Sequence, residues 1–98
     1  MTIEKTMNGN SLTVAISGRL DTTTAPELDA QLSGALSGVT ELIFDLSALE
    51  YMSSAGLRVF LSTQKTMQKQ GKMIVKNVNE TIMEIFEVTG FVDILTIE

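Results

Sequence analysis

The chain reads as an α/β fold: one domain over residues 1–98, with a mixed sheet of four to five strands, an N-terminal hairpin and three to four packed helices. Three observations predict it. Ser11-Leu12-Thr13-Val14-Ala15-Ile16-Ser17 alternates polar and apolar side chains strictly, the period of a half-buried strand. Leu28, Leu32, Ala35 and Leu36 recur at helical spacing and form one apolar face. Beyond Thr24, helical and strand-like segments alternate, which favours parallel crossovers after the initial hairpin.

Taken in order, Ile3 to Met7 is a weaker strand, joined to the next through the Asn-Gly pair of Asn8-Gly9-Asn10. After Gly18, the hydroxyls of Thr22, Thr23 and Thr24 suit a helix cap, and Pro26 falls in the first turn, where a missing N–H costs nothing. That helix starts near Thr24 and ends at Ser37-Gly38. Thr40 to Leu46 holds the run Leu42-Ile43-Phe44, expected for a central strand covered on both faces. A second helix runs from Ser54 to Gln70, with Leu57, Phe60, Leu61, Gln64 and Met67 in register and Gly71 as its stop. Lys72 to Lys76 is the next strand. Asn77 and Asn79 are candidate caps for a third helix, buried through Ile82, Ile85 and Phe86 and ended by Gly90. Val92 to Ile97 forms a last short strand or helix.

Composition excludes several functions. The chain has no Cys and no His, which removes disulfides, thiolate or imidazole catalysis and the usual zinc sites; no metal and no cofactor is expected. A net charge of −5 without a basic stripe argues against direct nucleic-acid binding. No apolar run approaches the roughly 20 residues of a membrane span, and no signal-peptide core follows Met1. No membrane insertion and a cytoplasmic location are the resulting expectations.

The chemistry concentrates in two loops expected at the carboxyl ends of strands, Arg19 to Thr24 and Ser47 to Ser54. In the second, an apolar strand delivers Ser53 and Ser54 to the start of a helix, where unpaired N–H groups and the positive dipole end favour a capping oxygen or a phosphate. For Ser54 the two roles are compatible, since the free hydroxyl caps and the modified one uses the same dipole. Asp45 is expected to accept hydrogen bonds from amides around Ser47 or Ser53. Gly56 permits close approach of the second helix to its neighbours or to a partner, and Asp21 is either a turn residue or part of the contact surface. Met52, Leu57 and Val59 lie around the helix start as core or contact residues, and Arg58 is a solvated cation able to meet a partner carboxylate. An enzyme built on Ser54 with Asp45 or Asp21 is disfavoured, because serine needs a base and no Lys lies near this block.

The blocks Gly18-Arg19-Leu20-Asp21, Asp45-Leu46-Ser47 through Tyr51-Met52-Ser53-Ser54-Ala55-Gly56-Leu57, and Val88-Thr89-Gly90-Phe91, in this order and spacing, resemble the STAS domain, and within it the bacterial anti-sigma factor antagonists. That resemblance covers nearly the whole chain. It implies a non-enzymatic, phosphorylation-controlled interaction module with no catalytic residue. In the unphosphorylated state such a protein sequesters an anti-sigma factor that is also a serine kinase of the histidine-kinase-like ATPase type. Phosphorylation releases that partner, a protein phosphatase reverses the mark, and transcription is regulated indirectly. The family's phosphoacceptor falls on Ser54. Many members carry aspartate just before it where this chain has Ser53, which makes Ser53 the second candidate. The partner-binding set is then Asp21, Thr22, Ser53, Ser54, Gly56, Leu57 and Arg58. The alternative within the same resemblance is a STAS subunit of a lipid-transport ATP-binding cassette complex.

Overall fold

Gly9 turns the chain at φ +63°, while Asn10 keeps a negative φ, so the central pair of the hairpin is Gly9-Asn10 rather than Asn8-Gly9. Asn8 is the last residue of β1 (Thr2–Asn8) and pairs with Ser11, the first of β2 (Ser11–Leu20). The computed structural model describes residues 1–98. From β2 the chain continues through α1 (Ala25–Ala35), β3 (Glu41–Met52), α2 (Ser54–Gln70), β4 (Lys72–Lys76) and α3 (Glu80–Thr89) to a 3₁₀ turn at Phe91–Asp93. The four strands lie in the order β1-β2-β3-β4, antiparallel in the hairpin and parallel thereafter. Ile97 adds one parallel bridge to Val75, so the C-terminal segment supplies both a helical turn and a strand-like contact.

Only one face of the sheet is fully covered, against the expectation for β3. Leu12, Val14 and Ile16 of β2 and Leu42, Phe44 and Leu46 of β3 are buried, whereas Thr13, Ala15, Ile43 and Asp45 on the opposite face stay half-exposed. The helices pack on the buried face, where Phe44 of β3 stacks on Phe60 of α2 with ring centroids 4.3 Å apart. Offset aromatic stacking of this kind contributes about 0.5–1.5 kcal/mol beyond the area it buries.

β3 also outruns the segment read from sequence, continuing through Met52. Its register against β2 slips twice, between Ala15 and Ser17 and between Gly18 and Arg19, and each slip inserts one extra residue in β3. Such bulges reverse the inside-outside parity. The buried positions accordingly run Leu42, Phe44, Leu46, then Leu49, then Met52. The loops at the carboxyl end of the sheet therefore shrink to Asp21–Thr24 and to Ser53.

α2 and β4 match the segments read from sequence. Gly71 closes α2 by donating its N–H to the Met67 carbonyl, and a Cβ there would overlap the carbonyl of Thr40. Asn79 caps α3, its side-chain oxygen accepting from the Ile82 amide at 2.9 Å while its amide group donates to the Leu49 carbonyl at 2.8 Å. Asn77 is no cap; at φ +58° it turns the chain between β4 and α3.

Candidate functional site

The register Leu20↔Met52 puts the ends of β2 and β3 side by side, so the segments beginning at Asp21 and Ser53 leave the sheet at the same edge. A hydrogen bond from the Ser53 amide to the Leu20 carbonyl, 2.8 Å long, ties them together. Leu20 and Met52 are both buried and form the floor beneath.

Ser53 is the N-cap of α2. Its backbone is extended, at φ −91° and ψ 177°, and its Oγ accepts from the Ala55 amide at 3.2 Å. Ser54 is the first helical residue and is exposed. The capping role expected of Ser54 thus belongs to its neighbour. Backbone geometry decides this, because only an extended residue can turn its side chain back over the first amides. The exposed hydroxyl of Ser54 stands at the positive end of a 17-residue helix that carries Arg58, Lys65 and Lys69 and no carboxylate.

Two residues on, Gly56 brings this helix end onto the sheet. A Cβ at that position would sit 2.7 Å from Cγ of Leu20 and 3.0 Å from Cγ of Met52. Gly56 and Leu57 are buried, as are Met52 and Val59, so these residues set the height and tilt of the helix from below. Asp21, Thr22, Ser53, Ser54 and Arg58 retain exposed or half-exposed surface.

Asp21 organises the first loop. Its Oδ1 accepts from the Thr23 amide at 3.0 Å, the Thr23 hydroxyl at 2.7 Å and the Thr24 amide at 3.2 Å. The Thr23 hydroxyl, with the other loop bonds behind it, holds the carboxyl below the usual carboxylate range. Thr24, at the helix boundary, makes no capping bond to α1; its hydroxyl donates to the Arg19 carbonyl at 2.9 Å and accepts from the Asp21 amide at 2.8 Å. The second carboxylate oxygen of Asp21 lies 4.0 Å from Nε of Arg19, whose guanidinium sits 4.4 Å from the Tyr51 ring centroid. A charged and aromatic ridge therefore runs along this edge.

Asp45 lies at the first bulge of β3. Its Oδ1 accepts from the Ser47 amide and from the side-chain amide of Asn77, each at 3.0 Å, and makes no bond to Ser53. The Asn77 bond first, then the Ser47 bond, lowers its pKa. Asp45 braces the strand rather than the helix start.

Thr22 and Arg58 line a groove between the first turns of α1 and α2, with Ala25, Pro26, Asp29 and Ala55. Nothing in the sequence marks these last four residues as lining one groove. The small side chains of Ala25 and Ala55 are the only local hint of a gap, because the groove arises from two helices separated by a strand. No helix of the chain is long and apolar enough to cross a membrane.

The model of the family described as "STAS domain" matches residues 2–98. The anti-sigma-B factor antagonist of Bacillus subtilis (strain 168) is 33% identical over 96 residues, spanning 97% of this chain and 88% of that protein. Among solved structures, the anti-sigma factor antagonist SpoIIAA in its unphosphorylated form superposes with a TM-score of 0.86 at 21% identity, over 99% of this chain and 88% of that one. The Bacillus cell fate determinant SpoIIAA in the phosphorylated form gives 0.77 at 21% identity, over 99% and 91%. The chain therefore belongs to the STAS domain family, in the branch that includes the bacterial anti-sigma factor antagonists.

Proposed function

We propose that this protein is an anti-sigma factor antagonist that works in the cytoplasm and is switched by phosphorylation of Ser54. One observation carries the reading: the cap of α2 is made by Ser53, which leaves the Ser54 hydroxyl exposed at the helix N-terminus. A helix whose cap is made elsewhere keeps its start when the next hydroxyl is modified. The naming of a 33% identical relative as an anti-sigma-B factor antagonist supports the choice of partner.

In the unmodified state the edge formed by the hydroxyls of Ser53, Ser54 and Thr22 and by the Arg58 cation contacts an anti-sigma factor with serine kinase activity. Asp21 contributes its outer carboxylate oxygen, and Gly56 and Leu57 support the surface from beneath. The kinase transfers the γ-phosphoryl group of ATP to Oγ of Ser54; the hydroxyl proton passes to a base of the kinase and ADP leaves. Phosphate adds about −1.5 to −2 charges and three acceptor oxygens. Within the fold that charge faces the positive helix end, a gain of about 0.3–1 kcal/mol at an exposed site. In the interface the same charge must be desolvated against a surface fitted to a hydroxyl and lies near Asp21. The complex is therefore lost while the domain survives, and a phosphatase restores the binding state.

Titration calorimetry against the cognate anti-sigma factor tests this reading. Ser54→Ala is expected to bind like wild type, and Ser54→Asp at least about tenfold more weakly, the effect of a like or desolvated charge at an interface. Equal affinity for wild type and Ser54→Asp would remove the switch.

A further inference from the structure

The charge of this chain is unevenly placed. Up to Lys76 it has seven acidic and seven basic residues; from Asn77 onward it has Glu80, Glu84, Glu87, Asp93 and Glu98 and no Lys or Arg. The entire net charge of −5 thus lies in the C-terminal segment built around α3.

On α3 the exposed surface forms two adjoining stripes. Glu80, Glu84 and Glu87 border one groove, and Thr81, Ile85, Val88 and Thr89 line a second, which shares Thr81 and Glu84 with the first. None of these three glutamates joins an ion pair; the bridges of the chain are Arg19–Asp21, Lys72–Glu41 and Lys76–Glu98. Val88 is 81% exposed, the most exposed large apolar side chain, and Val92 and Ile94 follow it at 37% and 42%. An apolar strip flanked by uncompensated carboxylates is the complement of an amphipathic helix with a basic border.

We propose that this face of α3 docks a basic amphipathic helix of a partner protein. Its apolar side chains lie along Ile85 and Val88, and its Lys or Arg residues meet Glu80, Glu84 and Glu87. Charge complementarity selects this occupant over the others. A second copy offering its own α3 brings like charges together. The one basic helix of the chain, α2, exposes Ser62, Lys65, Thr66, Gln68 and Lys69 along its second half, and half-exposed Leu61 is the single apolar side chain beside them, too little to fill the strip. An anionic bilayer repels the glutamates. The surface shares no residue with the Ser53–Arg58 edge, so it leaves that edge free for its own partner.

The test is a titration of the full-length ¹⁵N-labelled protein with a synthetic helical peptide of Leu and Lys at amphipathic spacing, and with its counterpart carrying Glu in place of Lys. Amide shifts confined to Thr81 through Val92, with no response to the acidic peptide, are expected. The doubly substituted Glu84→Lys, Glu87→Lys protein should bind the basic peptide about tenfold more weakly, and raised salt should weaken the wild-type complex. Val88→Lys, at an exposed position that leaves the core intact, should act in the same direction. The proposal is overturned by shifts centred on Ser53–Arg58 or on the open sheet face, by equal binding of the acidic peptide, or by no binding. Salt-sensitive self-association of the free protein through α3, or α3 shifts with phosphatidylserine vesicles, would also overturn it by assigning the face to another occupant.

Discussion

The amide of Ser53 donates a 2.8 Å hydrogen bond to the carbonyl of Leu20. This bond fastens the start of α2 to the end of β2, which brings into one surface two loops separated by a helix and a strand. The side chain of Leu20 meets the same helix end one layer down, where Gly56 leaves room for it. Backbone tie and side-chain contact together fix how far α2 protrudes from the sheet edge, and hence how the Ser54 hydroxyl is presented.

Because Ser53 caps α2 and Ser54 does not, their alanine variants should differ in stability. Ser53→Ala removes the bond to the Ala55 amide and should cost about 1 kcal/mol. Ser54→Ala removes an exposed hydroxyl from the first helical turn and should stay within about 0.5 kcal/mol of wild type. Urea denaturation of the two variants measures the difference directly; equal losses, or a larger loss at Ser54, would reverse the assignment of the cap.

Gly56→Ala should destabilise even though alanine is the better helix former. The added methyl lands 2.7 Å from the branch carbon of a fully buried Leu20, which cannot swing aside as the end of a flexible chain would. Overpacking of this kind costs about 1–3 kcal/mol. The propensity gain returns about 1 kcal/mol. A net loss is expected in thermal or chemical denaturation, and a stabilised Gly56→Ala would show that the helix has space to lift.

Acid should weaken the fold through three carboxylates held below their ordinary pKa: Asp21 chiefly by the Thr23 hydroxyl, Glu41 chiefly by the Ser11 hydroxyl and then Lys72, and Asp45 chiefly by the Asn77 side chain. In the unfolded chain these groups take up protons near pH 4, before the folded protein does, so stability should level off above about pH 5 and fall as pH drops through the lowered folded values. Asp45→Asn keeps an acceptor oxygen for Ser47 and Asn77 but removes one titrating group. Its acid limb, followed by urea denaturation from neutral pH downward, should be shallower than that of wild type. An unchanged slope would detach Asp45 from the acid response.

Much of the fold is legible because its signals are local. Gly71 stops α2 and the alternation in β2 fixes its buried face, so these segments are readable from a few neighbouring residues. β3 resists the same reading after Leu46, since two bulges reverse the parity twice and erase the alternation that marks a strand. The site is legible in part. Adjacent serines are chemically alike, and only the extended backbone of Ser53 against the helical one of Ser54 separates cap from exposed hydroxyl. Gly56 and Leu57 carry the family pattern yet lie under the surface, because spacing along a helix marks a face without saying which side of it is covered. The groove between Thr22 and Arg58 depends on how α1 and α2 pack, and no short stretch of the chain encodes that.

Phosphorylation at Ser54, with Ser53 kept as the cap, is tested most directly by incubating the intact protein with its cognate anti-sigma kinase and ATP and mapping phosphate by mass spectrometry. Phosphate on Ser54, with the complex dissociating as the mark accumulates, is the predicted result. Phosphate on Ser53 or on a residue away from the start of α2, or a complex that persists after Ser54 is modified, would contradict it.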